Sequence, residues 1–289
     1  MKLLIAFIVI VLLILFFVFC YYQNNKLDIT EYEMESNKVQ SDVRIVHLSD
    51  FHSKPFKEVL DRTKELDPDI ICITGDYIND KCRNKDKMLA YGKELVKIAP
   101  VYYITGNHER RLDHFEELMQ ELEKIGFNVL LNRCLKTDNI TILGLDENQA
   151  DFSDYKERKK GTFKYKDMSE HFAELEKADN FRLVLCHFPE NFEGIKEVNY
   201  SQYDFDLQLS GHAHGGQWIM PFVGPLFSPG QDRPESTSTS QGQQVAALTN
   251  WRTSSMEDSD TKNSDMKGHL LNDCIQTVGL CFIIRVSSL

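Results

Sequence analysis

Five short clusters of acidic, amide and imidazole side chains punctuate the chain: Asp50-Phe51-His52, Gly75-Asp76, Gly106-Asn107-His108-Glu109, a single His187, and Gly211-His212-Ala213-His214. Carboxylate oxygen and imidazole nitrogen in combination suit Mn, Fe or Zn better than Ca or Mg, and no thiolate accompanies them. The neighbouring glycines let the backbone turn sharply, so that side chains from separate loops can converge on one point. Taken singly, each cluster has an ordinary explanation. Asp50, Asp76 and Asn107 are turn formers and helix caps by type. A lone histidine is more often a surface or satisfied core residue, and His47, His114, His171 and His269 are read that way. Five such clusters in succession, each at a strand end, exceed what turn chemistry explains. They point to a metal centre.

The elements that must position these groups alternate in type. Val43–Leu48 is a β-branched run, Lys57–Leu66 has helical spacing and stops at Asp67-Pro68, and Asp69–Thr74 reads as a buried strand. Asp86–Ile98 is helical, Val101–Thr105 a strand, and Asp113–Ile125 an amphipathic helix closed by Gly126. Short strands follow at Val129–Leu131 and Ile140–Leu145. After a charged loop over 149–166 come a helix at Met168–Lys177 and strands at Arg182–Cys186 and Phe205–Leu209. Strands alternating with helices predict an α/β layered fold, in which ligand groups gather beyond the carboxyl ends of the strands.

The ordered series DFH, GDY, GNHE, a single strand-end His and GHAH resembles the calcineurin-like metallophosphoesterases, and the membrane-anchored bacterial YkuE/YaeI-like branch in particular, over about residues 43–230. The resemblance implies a four-layer α-β-β-α sandwich of two mixed sheets and two divalent metal ions (Mn, Fe or Zn). By it, Asp50, His52 and His214 would hold one ion, Asn107, His187 and His212 the other, and Asp76 would bridge them. His108 would contact the substrate phosphate or leaving group, and Glu109 would orient His108. It further implies hydrolysis of a phosphoester by in-line attack of a metal-bridging hydroxide.

Substrate class is less legible. Phosphoprotein phosphatases of the superfamily continue the GD motif as GDxxDRG, with an Arg for the phosphate; here the segment reads Gly75-Asp76-Tyr77-Ile78-Asn79-Asp80-Lys81. The missing Arg favours a phosphodiester or pyrophosphate over a protein phosphomonoester, with phosphomonoesterase activity or a non-catalytic scaffold as alternatives. Arg110 and Arg111 either grip phosphate or begin a solvated helix. Trp218–Phe227 is nearly all apolar and reads as core packed over the sheet or as a greasy lip for an acyl chain. The lip would suit a lipid-linked substrate, such as the UDP-diacylglucosamine-like molecules of lipid A biosynthesis that related family members cleave.

Residues 1–22 read as a transmembrane anchor, 23–41 as a juxtamembrane linker, 42–230 as the phosphoesterase domain and 231–289 as an atypical polar tail, disordered over Gln231–Asn272 and with the short apolar run Val278–Val286 as a candidate late strand. Leu3–Cys20 is unbroken and apolar, long enough at about 1.5 Å per residue to come close to spanning a hydrocarbon core of about 30 Å. The bulky Val18-Phe19-Cys20-Tyr21 favours an uncleaved, single-pass anchor over a cleaved signal peptide. Lys2 before it, with Asp28, Glu31, Glu33 and Glu35 after it, puts the catalytic part outside the cytoplasm. The net charge of −11, without a basic run, argues against nucleic acid. Seven cysteines without a CxxC pair define neither a disulfide framework nor a cysteine metal site. The switch to Asp232–Ser240, DRPESTSTS, lacks the strands expected to follow, and fits either a divergent tail or a shifted reading frame.

Overall fold

The computed structural model describes residues 2–23, 29–147, 157, 160–192, 198–212, 217–220, 224–227 and 280–288. Helix α1 (Lys2–Gln23) is apolar on every side over Leu3–Phe19 and exposed throughout Lys2–Phe19. By length and composition it is able to cross a membrane.

Alternation in the strands sorts the rest into layers. In β2 (Val43–Ser49), Val43 and Ile45 point one way and Val46 and Leu48 the other. β3 (Ile70–Thr74) and β4 (Val101–Ile104) repeat the division, sending Cys72, Tyr102 and Ile104 to the first side and Ile71, Ile73 and Tyr103 to the second. A strand with both faces apolar needs cover on both. On the second side lie α2 (Lys57–Leu66), α3 (Lys85–Val96) and α4 (Phe115–Ile125), which bury Val59, Leu95, Leu118 and Leu122 against the sheet. Helix α2 ends where Asp67, ahead of Pro68, turns left-handed (φ 47°), and α4 ends at Gly126 (φ 107°).

The first side meets a second sheet of β6 (Arg133–Lys136), β7 (Ile140–Gly144), β8 (Phe181–Cys186) and β9 (Leu207–Ser210), in that order. Ile142, Phe181, Leu183, Leu185, Leu207 and Leu209 fill the layer between the sheets. Val184 and Cys186 face outward onto α5 (Ser169–Leu175), packed through Phe172 and Leu175. The result is the four-layer α-β-β-α sandwich with two mixed sheets.

The larger sheet has the order β1-β12-β2-β3-β4-β5, with β5 at Phe127–Val129. One of its strands corrects the sequence reading and another matches the candidate late strand. β1 (Ile29–Ser36) lies within the stretch read as a linker, and β12 (Leu280–Ser288) lies within the stretch read as a polar tail. β12 inserts between β1 and β2, parallel to the first and antiparallel to the second. Its Ile284 and Val286 are buried in the layer between the sheets. The alternating apolar run at Val278–Val286 already carried this strand signal; the long polar segment before it hid its role in closing the sheet. Gln217–Met220 (β10) and Gly224–Phe227 (β11) pair as a separate antiparallel hairpin. Residues 228–279, most of the loop over 149–166 and His214 fall outside the described residues.

Candidate metal centre

The parallel strands β2, β3 and β4 end together, and so do β7, β8 and β9; the loops leaving these ends carry the five clusters. Pairing continues past the strands. The amide of Asp50 donates to the Gly75 carbonyl (3.2 Å), that of His52 to Asp76 (2.8 Å) and that of Ser53 to Tyr77 (3.1 Å). Across the other sheet, Gly211 N–H donates to the His187 carbonyl (3.1 Å). Asp50, His52, Asp76 and His212 all have left-handed backbone, with φ of 56°, 46°, 51° and 64°. Such backbone is costly for a residue with a side chain, and four instances among the site residues mark loops held by their surroundings. Gly75 (φ 89°) has no substitute: a Cβ there would lie 2.5 Å from the Gly106 nitrogen and 2.7 Å from His187 Nδ1.

Asp76 is the hub. It is buried, and its Oδ1 accepts the backbone N–H of His108 (2.9 Å). Its Oδ2 lies 3.9 Å from His52 Nε2, 3.9 Å from His108 Nε2 and 3.5 Å from His187 Nε2. Two groups of donor atoms therefore share it: His52, Asp76 and His108 on one side, Asp76, His187 and His212 on the other, all within 4.8 Å in each group. Asp50 Oδ1 sits 4.0 Å from His52 Nε2, and Asn107 Oδ1 sits 3.1 Å from His187 Nε2. The rings of His187 and His212 lie 5.1 Å apart. Of the seven expected ligands, six converge; the seventh, His214, lies outside the described residues.

The electrostatics fit cations. Burial opposes ionisation of Asp76, yet His187, His108 and His52 together hold its carboxyl well below the usual range. Burial would lower the pKa of His187, but Asp76 and Asp50 outweigh it and push it up to about 10. His187 Nδ1 lies 2.7 Å from the Thr74 carbonyl, so that nitrogen carries the proton and Nε2 is turned toward the centre. Hard oxygen donors and imidazole nitrogens around one shared carboxylate form a donor set that suits two divalent ions.

Two buried glutamates brace the loops. Glu109 Oε2 accepts the amides of Asp76 (3.0 Å) and Gly106 (2.9 Å), and Oε1 accepts that of Ile78 (2.8 Å). Both its oxygens are thus engaged by loop backbone, which corrects the expectation that it orients His108. Asp80 is the residue at His108 Nδ1: its backbone N–H donates to that nitrogen (3.4 Å), and its Oδ1 lies 3.6 Å away. Glu147 Oε2 accepts the amides of His187 (2.8 Å) and Phe188 (3.2 Å), while Oε1 accepts from Asn191 (2.5 Å) and Tyr200 (3.1 Å). The sequence reading passed over Asp80 and Glu147. The strand-end rule that found the ligands also finds Asp146-Glu147, directly beyond β7. Arg110 is tied into the structure: its guanidinium pairs with Asp146 and lies 4.0 Å above the Phe115 ring. The Arg110 guanidinium is thus committed to a carboxylate of the chain itself. His47 is a buried core histidine, 2.7 Å from Thr74 Oγ1.

The family model for calcineurin-like phosphoesterases matches residues 43–216. The chain belongs to that family, whose members use two divalent metals. It is 31% identical over 195 residues to metallophosphoesterase YkoQ of Bacillus subtilis, covering 62% of this chain and 64% of that relative. Phosphodiesterase YaeI of Escherichia coli is 28% identical over 199 residues (66% and 67%). A Danio rerio relative, named a transmembrane protein with a metallophosphoesterase domain, is 26% identical over 197 residues (61% and 41%). The chain spans about half to two thirds of the length of such relatives.

Proposed function

We propose that this protein is a membrane-anchored, metal-dependent hydrolase of phosphodiester or pyrophosphate bonds. The observation that carries the reading is Asp76 Oδ2, set between His52 on one side and His187 on the other. Asp50, His52, Asp76 and His214 would hold one ion, and Asp76, Asn107, His187 and His212 the other. Two such ions supply Lewis acidity at the phosphoryl oxygens and water activated near neutral pH. His108 is half-buried beside the site, with Asp80 behind its Nδ1, and gives a proton from Nε2, the nitrogen on the Asp76 side, to the leaving oxygen. Asp80 holds that imidazole in place. Glu109 and Glu147 keep the loops in register without touching substrate.

Asp80 also bears on the substrate. It stands where the GDxxDRG motif has its phosphate-binding Arg. A carboxylate there repels a phosphomonoester dianion more than a singly charged diester. The name of the Escherichia coli relative, a phosphodiesterase, supports the same choice. Helix α1, with acidic residues following it, supports a single-pass anchor with the catalytic domain outside the cytoplasm.

Purified full-length protein loaded with Mn²⁺ should hydrolyse bis(p-nitrophenyl) phosphate at least about tenfold faster than p-nitrophenyl phosphate, a difference of about 1.4 kcal/mol in activation free energy. Asp80→Arg should narrow that ratio. A preference for the monoester would replace the diester reading with a phosphomonoesterase, and metal-loaded protein inert to both would remove the enzymatic reading.

A further inference from the structure

The register of the large sheet fixes which end of the domain the anchor leaves from. In β1, Ile29 pairs with Cys281 of β12, and Cys281 pairs with Leu48 of β2. Leu48 lies just before Asp50, so β1 begins at the end of the sheet that carries the metal centre, about 10 Å to the side at two strand spacings. From there β1 runs away from the site, and Ser36 pairs with Ser288 near the opposite end. The sequence alone, which read this stretch as a linker, gave no such direction.

Length decides how the domain can sit. The five residues between Gln23 and Ile29 reach at most about 20 Å when fully extended. The far end of β1 lies about 25 Å beyond Ile29. Turning the domain over, to put the opposite end of the sheet on the bilayer, would lift Ile29 beyond that reach. Laying it on its β1 flank would press Glu31, Glu33 and Glu35, all exposed, against the headgroups. An anionic leaflet repels them. The loops around the metal centre are mixed rather than uniformly acidic, with Lys54, Lys81 and Arg83 exposed there beside Asp80 and Asp113. Basic side chains near an anionic leaflet gain about 1 kcal/mol each. The hairpin β10–β11, whose sequence includes Trp218, Ile219, Phe222 and Leu226, starts five residues after His212.

We propose that the metal-centre end of the domain faces the bilayer, and that the enzyme takes phosphoesters from amphiphiles embedded in that leaflet. This rests on reading α1 as an anchor and the centre as a phosphoesterase. Chain direction, tether length and charge distribution favour it independently of any substrate name.

The test uses full-length protein in phosphatidylcholine–phosphatidylglycerol vesicles. It is offered soluble bis(p-nitrophenyl) phosphate and an acyl-chain aryl phosphodiester held in the same vesicles. A Gly-Ser spacer of about 30 residues between Gln23 and Ile29, spanning about 30 Å on average, frees the domain to turn. Turnover of the soluble diester should be unchanged, which also reports a folded domain, while turnover of the embedded one should fall about tenfold or more. Headgroup-photoactivatable phosphatidylcholine should label peptides 50–57, 76–84 and 106–114 in the parent protein, and not 37–42, 67–69 or 97–100. Embedded-substrate turnover indifferent to the spacer, or labelling at the opposite end, would overturn the proposal. If neither diester is hydrolysed, the phosphoesterase reading fails by itself, and the labelling pattern still decides the orientation.

Discussion

Glu109 and Glu147 do the same work in the two halves of the site, with different partners. Glu109 binds the half built on the larger sheet, and the loop amides of Asp76, Gly106 and Ile78 donate to it, with the Tyr103 hydroxyl as its one side-chain neighbour of that kind among the described residues. Glu147 binds the half built on the smaller sheet, and two of its four donors are side chains, Asn191 and Tyr200. Backbone N–H groups cannot reverse their polarity, whereas an amide can flip and a hydroxyl can rotate. Burial and the Asp76 charge push the Glu109 carboxyl up to about 7, with the Ile78 and Gly106 amides pulling it back. Burial raises Glu147 as well, countered by Asn191 and the amides of Phe188 and His187. The larger-sheet half is therefore the more rigid and the less forgiving of change.

The largest expected effect follows from that contrast. Glu109→Gln would aim an amide N–H₂ at fixed backbone donors, and should cost about 4 kcal/mol in urea unfolding while releasing the loop that carries Asp76. If Glu147→Gln cost as much, the distinction between fixed and adaptable donors would be wrong.

The halves should also differ in acid. His47, in the strand leading to Asp50, is fully buried, and burial lowers its pKa to about 4, with Asp50 partly offsetting it. Below about 6.5 the unfolded chain binds a proton that the folded chain refuses, so stability falls as pH drops from about 6.5 toward 4. The loss reaches about 3 kcal/mol at the lower end, by about 1.4 kcal/mol per unit. Glu109, raised to about 7, acts in the opposite sense over the same range, so the His47 contribution is read as a difference: in unfolding of the metal-free protein, His47→Gln should lose less stability than the parent as pH falls from about 6.5 to 4.

Smaller effects sharpen the picture of the other half. Glu147→Gln should cost about 1–2 kcal/mol, because Asn191 and Tyr200 can turn to face the new amide. Tyr200→Phe, which removes one hydroxyl from that carboxylate, should cost about 1 kcal/mol. Both are read by thermal unfolding.

Much of this was legible in the sequence for one physical reason: the ligands sit at strand ends, where apolar alternation stops and a polar residue has no packing role. Asp50, Asp76, Asn107, His187 and His212 announced themselves in that way. Helix α2 was legible to the residue, because Asp67-Pro68 closes it. What stayed hidden depended on partners far away in the chain. The job of Glu109 is set by backbone amides more than thirty residues back, at Asp76 and Ile78. β1 has an alternating pattern diluted by glutamates, since an edge strand covers only one face well. β6, short and half-exposed, gave no signal for a similar reason.

Elemental analysis of the purified protein is the most direct check that these loops hold a pair of ions around Asp76. Two equivalents of divalent metal per chain are expected for the parent and fewer than one for Asp76→Asn, since both ions share that carboxylate, with the variant still folded by circular dichroism. A parent that retains no metal after incubation with Mn²⁺, Fe²⁺ and Zn²⁺, or an Asp76→Asn protein that retains two, would contradict it.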